Sequence, residues 1–219
     1  MTVKDLPQVF RVLRQHRKEV GPASVTEIAE SRQSEPYRIL ISCLISLRTK
    51  DEVTATASAS LFSLASTPSE MVSLSTKKIA RAIYPCGFYR TKADTIREVS
   101  REILARFDGT VPSRIEDLLT FHGVGRKTAN LVVTLGYGKP GICVDTHVHR
   151  ITNRWGLVAT TSPDATETAL RQILPRRYWI PINDLLVNYG KGICRPVSPL
   201  CSQCGLEGVC GRIGVERSR

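Results

Sequence analysis

The sequence predicts an all-α protein, and three observations support that fold class. Apolar residues recur at helical spacing along much of the chain, segments typical of strands are few, and patterns typical of helix starts are many. Hydrophobic residues form 42% of the 219 residues, which supplies a core and excludes disorder of the whole chain. We therefore expect about ten helices, most of them about ten to fifteen residues long.

The predicted helices follow one another from the N-terminus and are joined by short connections. The first carries apolar residues at helical spacing: Leu6, Val9, Phe10 and Leu13. Four later starts have an N-cap residue or an early proline: Pro36, Thr67-Pro68, Ser113 and Ser162-Pro163. Glu70 lies three residues after Thr67, which is the spacing of a capping box. Glu116 has the same spacing from Ser113. Amphipathic or Ala- and Ser-rich stretches predict further helices at 51–64, 92–106, 127–135 and 148–155.

The charge of the chain favours a polyanionic partner. Lys and Arg number 31 against 20 Asp and Glu, and the resulting net charge of +11 favours nucleic acid. The longest mostly apolar stretch, residues 37–47, is about half the ~20 residues that a membrane span requires. The N-terminus lacks the apolar stretch of a secretory signal. We therefore expect a protein that is not bound to a membrane and is cytoplasmic and nucleoid-associated. Because the sequence suggests no oligomeric interface, we also expect a monomer.

Four of the seven cysteines form a candidate metal site near the C-terminus. They are separated by six, two and five residues: Cys194, Cys201, Cys204 and Cys210. Four thiolates in one compact run favour a cubane iron–sulfur cluster. A tetrahedral zinc site stays open, although zinc usually takes two close pairs of cysteines. A disulfide pair fits less well with the missing signal peptide. The other three cysteines, Cys43, Cys86 and Cys143, lie in apolar contexts and are expected in the core.

A turn with two glycines and a basic helix start forms a second motif. Gly123 and Gly125 flank one apolar residue, and Arg126 and Lys127 follow directly. Glycine lets the backbone approach a ligand closely, and the N–H groups at a helix start can bind a phosphate. Two cations in a first helical turn oppose the helix dipole, so we expect an anion there. A plain connecting turn with a solvated lysine is the alternative.

The segment Val144-Asp145-Thr146-His147-Val148 is a third motif. Asp145 or Thr146 can serve simply as the N-cap of a following helix, and His147 can be an ordinary packed or capping residue. A chemical role for Asp145 requires that its carboxylate face Lys127.

Together, the three motifs resemble endonuclease III, the bifunctional DNA glycosylase and abasic-site lyase of the helix-hairpin-helix superfamily. They occur in the family's order, and Asp145 follows Lys127 by eighteen positions, as in the family. The resemblance runs from about Glu35 to Cys210. It implies a two-domain all-α fold. Residues 30–139 would form a six-helix barrel with the helix-hairpin-helix, and residues 1–29 with 140–219 would form a helical domain with a 4Fe-4S cluster.

The resemblance also implies the reaction and its residues. The enzyme would remove oxidised pyrimidines from duplex DNA in base excision repair and cleave the strand 3′ to the abasic site by β-elimination. Lys127 would be the nucleophile that forms the Schiff base, and Asp145 would be the catalytic carboxylate. A Schiff base requires a primary amine, which arginine cannot supply.

The DNA contacts implied by the resemblance lie outside this pair. Phe88 occupies the position of an apolar wedge, although a loop aromatic that packs inward is the alternative. Arg48 stands where family members usually carry a glutamine opposite the lesion, and His122 stands where they favour proline. Arg195, in the cysteine loop, is expected to meet phosphates. Gly123, Gly125 and Arg126 are expected to do the same at the two-glycine turn.

Two other functions are compatible with parts of the sequence. A monofunctional mismatch or adenine glycosylase of the same superfamily is one, but these relatives generally lack a lysine at the position of Lys127. A non-catalytic DNA-binding protein with a structural metal loop is the other. Such a protein would need the charge and the glycine turn but not Lys127 together with Asp145.

Overall fold

A computed structural model describes residues 1–30 and 35–219 and confirms the all-α fold class. These residues form twelve α-helices, three short 3₁₀-helices and one π-helical segment, and they contain no β-strand. None of the helices in these two ranges combines the length and the apolar character needed to cross a membrane.

The described chain divides into two compact units. One unit contains both chain ends, as Met1–Ala23 and Ile142–Arg219, and the other is Ser24–Gly141. The assignment of residues 30–139 to a barrel domain, with the remainder as a cluster domain, stays a prediction. It also takes in residues 31–34, which lie outside the described residues.

The central unit consists of eight α-helices built around one buried helix. They are α2 (Ser24–Glu30), α3 (Pro36–Ser46), α4 (Asp51–Phe62), α5 (Pro68–Ser73), α6 (Thr76–Ala82), α7 (Tyr89–Phe107), α8 (Ile115–Leu118) and α9 (Arg126–Leu131). The π-helical segment Val132–Gly136 continues α9. Eight of the eleven residues of α3 are buried, and α3 packs against α2, α4, α7 and α9. A helix that is apolar on nearly every side is stable only when it is enclosed in this way.

The second unit packs the N-terminal helix against the C-terminal helices. Its helices are α1 (Leu6–Val20), α10 (Thr146–Arg154), α11 (Pro163–Ile173) and α12 (Ile182–Gly192). The four apolar residues predicted to define the first helix are all buried. Phe10 of α1 stacks on Tyr178 with 4.0 Å between ring centroids. Arg17 of α1 also pairs with Asp184 of α12, Nε to Oδ2, at 3.0 Å.

Three of the four helix starts predicted from an N-cap residue or an early proline are confirmed, at Pro36, Pro68 and Pro163. Thr67 and Glu70 form the expected capping box, with a 3.0 Å bond from the Thr67 N–H to Glu70 Oε2. The capping box at Ser113 is wrong, because α8 begins at Ile115 with Arg114 as its N-cap. The Ser113 hydroxyl instead accepts a 2.6 Å bond from Lys139 Nζ, and a charged donor is a stronger partner than a backbone N–H.

The expected number and length of the helices are also partly wrong. The described residues contain twelve α-helices, and α5, α6, α8 and α9 have only four to seven residues. Helices this short are unstable alone, so their stability depends on packing that the periodicity of the sequence does not report.

Candidate functional site

The two glycines before α9 have different structural roles. Gly123 has φ of +78°, and an added Cβ would lie 3.1 Å from Cγ2 of Thr95. Gly125 is the N-cap of α9 in extended conformation, with φ −96° and ψ 177°. An added Cβ at Gly125 would meet no atom of the described chain within 4 Å. Gly123 therefore sets the bend, and Gly125 leaves the backbone open at the start of α9.

Lys127 lies in the first turn of α9, directly after this open backbone. Its side chain and that of Arg126 are both exposed. The first turn of a helix is the positive end of its dipole, so two cations lie at the positive end of α9. Burial raises the pKa of the Cys43 thiol on α3 to about 12, and the positive charge of Lys127 acts against that rise.

Asp145 is the N-cap of α10, as the simpler interpretation of its motif predicted. Its Oδ1 accepts hydrogen bonds from the N–H groups of His147 and Val148, both at 2.9 Å. The side chain is buried. These bonds fix the carboxylate at the positive end of the helix, where a negative charge is stabilised. Lys127 belongs to the central unit and Asp145 to the other unit, so their predicted apposition stays a prediction.

Arg48 and Phe88 lie on two neighbouring loops of the central unit, one after α3 and one before α7. Both have left-handed backbone conformations, with φ of 53° and 57°. The Arg48 guanidinium lies 5.6 Å from the centroid of the Phe88 ring. Phe88 is 64% exposed, so the alternative that it packs inward is wrong. An exposed aromatic ring beside a guanidinium offers a stacking surface for an unpaired base.

Lys92 is a residue near this pair that the sequence did not single out. Its side chain is only 8% exposed, and its ammonium donates to two carbonyls and one hydroxyl. In the sequence it is one more polar residue of an amphipathic helix. No local sequence pattern indicates that Lys92 is buried and bonded, because its three acceptors are 43 to 47 positions away along the chain.

The four C-terminal cysteines line one pocket of about 350 Å³, a volume that includes its opening to solvent. All four are half-buried free thiols. Within the described residues, no group of three or more His, Cys, Asp and Glu side chains is arranged to hold a single metal ion. Burial raises the pKa of the Cys194 and Cys210 thiols, so these thiols would have to lose their protons when they bind a metal. The three scattered cysteines are buried, as predicted.

Hydrogen-bond donors surround these sulfurs. Arg154 Nη1 donates to Cys194 Sγ at 3.5 Å, and the Arg212 N–H donates to Cys210 Sγ at 3.4 Å. Tyr189 Oη and Cys204 Sγ share a hydrogen bond of 3.1 Å. Donors of this kind stabilise thiolates. Four cysteines that line one pocket, two of them with donors to sulfur, supply the ligand types of a group that is held by four thiolates.

Two arginines of α10, which sequence reasoning missed, hold the start of the cysteine loop. Arg154 donates from Nη1 to the Arg195 carbonyl and from Nη2 to the Pro196 carbonyl, both at 2.6 Å. Arg150 Nη2 donates to the Cys194 carbonyl at 2.9 Å. The Arg195 side chain remains exposed, and its Nε donates to the Gly192 carbonyl at 2.9 Å. The helix that Asp145 caps is thus bonded directly to the cysteine loop.

Comparisons with known proteins agree with these features. The chain matches the HhH-GPD superfamily of base excision DNA repair proteins over residues 41–176. It is 45% identical to endonuclease III of Thermotoga maritima over 82% of this chain and 84% of that relative. It is 40% identical to the chloroplastic endonuclease III homolog 1 of Arabidopsis thaliana over 80% of this chain and 48% of that relative, so it spans about half of the longer protein. A solved structure of a trapped endonuclease III–DNA covalent intermediate superposes with a TM-score of 0.79, at 27% identity and with 96% of both chains covered.

Proposed function

Because the chain belongs to the HhH-GPD superfamily, and within it to the endonuclease III family, we propose that Lys127 and Asp145 perform its chemistry on damaged DNA. The chain is a DNA glycosylase of base excision repair, with the abasic-site lyase activity typical of its family. The proposal adds the residues and the substrate class, which is oxidised pyrimidines in duplex DNA. The observation that carries it is the exposed primary amine of Lys127 in the first turn of α9.

Lys127 is the nucleophile in this proposal. Its neutral amine attacks C1′ of the damaged nucleotide, the C1′–N glycosylic bond breaks, and the base leaves with a proton. The amine nitrogen then forms a double bond to C1′ as the C1′–O4′ bond breaks and O4′ takes up a proton, and the resulting iminium at C1′ makes the C2′ proton acidic. Loss of that proton forms a C2′–C3′ double bond and expels the 3′-phosphate, which cuts the strand. A protonated amine is not nucleophilic, so the reaction needs a group that accepts the lysine proton.

Asp145 supplies the carboxylate of the reaction. Its Oδ1 is already held by two N–H groups of α10, which fixes the orientation of the side chain before substrate binds. A carboxylate fixed in this way can accept the lysine proton or stabilise positive charge that develops on the sugar.

The DNA would be held by backbone and side-chain contacts around this pair. The backbone at Gly125, where an added Cβ would meet no described atom within 4 Å, and the exposed side chain of Arg126 suit a phosphate at the start of α9. Phe88 and Arg48 suit the space left when a nucleotide is turned out of the stack, an opening that has a free-energy cost of a few kcal/mol. Arg195 adds a contact to the phosphate backbone, and such contacts make affinity fall as salt concentration rises.

We also propose that the four cysteines hold a 4Fe-4S cluster. When bound, the cluster supplies a rigid cross-link for the loop from Cys194 to Cys210, and it takes no part in the bond-breaking steps. The fit of the donor set supports this assignment. A cytoplasmic, nucleoid-associated location stays a prediction.

Reductive trapping tests the proposed nucleophile. Borohydride added during reaction with duplex DNA that contains an abasic site or thymine glycol should reduce the iminium and link the wild-type chain to the DNA. Lys127→Ala should give no adduct. Lys127→Arg is the matched control, because it keeps the positive charge but cannot form the iminium, and it should also give none. An undiminished adduct in Lys127→Arg would overturn the assignment of Lys127.

A further inference from the structure

Lys92 is a buried cation whose use the proposed reaction does not explain. It lies in the first turn of α7, and its Nζ donates to the carbonyls of Ile45 and Leu47, both at 2.6 Å. It also donates to Oγ1 of Thr49 at 2.8 Å. Burial lowers the pKa of Lys92 relative to an exposed lysine, and the three acceptors satisfy all three of its protons. Burying a cation destabilises the fold unless hydrogen bonds satisfy its protons, and all three protons of Lys92 are bonded.

The acceptors of Lys92 lie on both sides of Arg48. Leu47 precedes Arg48 and Thr49 follows it, so a single ammonium holds the two residues that flank it. Arg48 has a left-handed backbone with φ of 53°, which is unfavourable for a residue with a side chain. The Lys92 bonds therefore help to fix a strained bend at the end of α3.

The backbone of Lys92 is bonded to the other loop. Its N–H donates to the Phe88 carbonyl at 3.0 Å, in the first turn of α7. The loops also touch at Gly87, where an added Cβ would lie 2.7 Å from the Arg48 carbonyl oxygen. Lys92 is thus bonded through its side chain to the neighbours of Arg48 and through its backbone to Phe88.

We propose that Lys92 is a positioning residue that sets the distance between Arg48 and Phe88. It thereby determines the affinity of this pair of side chains for a duplex from which a nucleotide has been unstacked. The inference rests on the proposed function, because it takes Arg48 and Phe88 as DNA contacts. Lys92 acts through the two loops and touches no DNA. Loss of its ammonium lets the two loops move apart while the chemistry at Lys127 is unchanged.

A purely structural role for Lys92 predicts a different pattern. If it only stabilised the central unit, its loss would lower the melting temperature and weaken every function by the same factor. If it positions Arg48 and Phe88, its loss should weaken duplex binding only while those two side chains are present.

A double-mutant cycle distinguishes the two roles. Lys92→Met keeps most of the side-chain volume and removes the ammonium, and Lys139→Met removes one exposed positive charge from the same unit as a matched control. Affinity is measured for a duplex that contains a non-cleavable abasic analogue, at fixed salt. We expect Lys92→Met to weaken binding about tenfold in the wild-type background and less than about threefold in the Arg48→Ala/Phe88→Ala background. The maximal rate of abasic-site cleavage should stay within about threefold of wild type, so the change falls on KM.

The inference fails if Lys92→Met has the same effect in both backgrounds, or no more effect than Lys139→Met. If Lys92→Met does not fold, Thr49→Val removes one acceptor with little change in shape, and it should show the same dependence on background with a smaller effect. Wild-type affinity in the Arg48→Ala/Phe88→Ala variant would instead overturn the DNA contacts of the proposed function, and the inference with them.

Discussion

The two glycines of the turn before α9 allow one experiment to separate folding from DNA binding. At Gly123, alanine would have to adopt φ of +78°, which has an energetic cost of roughly 1–2 kcal/mol for a residue with a Cβ. Its methyl group would also lie 3.1 Å from Cγ2 of Thr95, so that side chain must move by a few tenths of an ångström. In a chain of this size, about 1 kcal/mol shifts the melting temperature by about 2–4 °C. Gly123→Ala should therefore lower it by roughly 2–8 °C.

At Gly125 the same substitution has little effect on the free protein. Its backbone, with φ −96° and ψ 177°, suits any residue, and the methyl group would meet no atom of the described chain within 4 Å. The entropic gain from replacing glycine is about 0.4–1 kcal/mol, and the loss of a favoured N-cap residue opposes it by a similar amount. We expect a melting temperature within about 2 °C of wild type.

Although Gly125→Ala should hardly change the melting temperature of the free protein, it should weaken DNA binding. If a phosphate lies against the open backbone, the added methyl group displaces it, and affinity for a duplex with a non-cleavable abasic analogue should fall about tenfold, or ~1.4 kcal/mol. Thermal melting followed by circular dichroism gives the first quantity, and fluorescence anisotropy at fixed salt gives the second. Wild-type affinity in Gly125→Ala would refute the phosphate site at this turn. Equal loss of melting temperature in both variants would refute the argument from backbone conformation.

Two further predictions concern pH and the cysteine pocket. Hydrogen bonds from Ser66 and Thr67 lower the pKa of Glu70, so its carboxylate stabilises the fold above its ordinary pKa and that contribution is lost as pH falls through the lowered value. Thermal melting should therefore show Glu70→Gln below wild type at pH 7, with a difference that narrows below about pH 4; a constant difference would contradict the carboxylate role. The purified chain should contain about four iron atoms and absorb visible light, and Cys204→Ser should lose both and melt at lower temperature. One zinc atom per chain in a colourless wild-type preparation would contradict the cluster.

Several features of the site could be predicted because they are local in the sequence. The bend at Gly123 and the cap at Asp145 each depend on a few neighbouring residues, and the structure contains both. The burial of Cys43 followed from its apolar neighbours. The cysteine spacing likewise predicted the four sulfurs that line one pocket. In each case the relevant partners lie within a few turns of chain, so the pattern of residue types already limits the geometry.

Long-range competition explains what sequence reasoning missed. Ser113 has the residue types and spacing of a helix cap, but Lys139, 26 positions away, takes its hydroxyl. Lys92 resembles a surface lysine of an amphipathic helix until α3 is packed beside it. Arg150 and Arg154 resemble polar positions on α10, yet their guanidinium groups hold carbonyls about forty positions later.

The sequence by itself determined the helical fold class and the starts of most helices, because caps and periodicity are properties of short segments. It also predicted which residues perform the chemistry, an assignment that stays a proposal. Only the tertiary structure decided which donors meet which acceptors: the buried Lys92 beside Arg48, the arginines of α10 on the cysteine loop, and the exposed face of Phe88. These contacts form between segments that are distant in the chain, and burial makes each unpaired polar group costly. Packing therefore selects partners that no local pattern specifies.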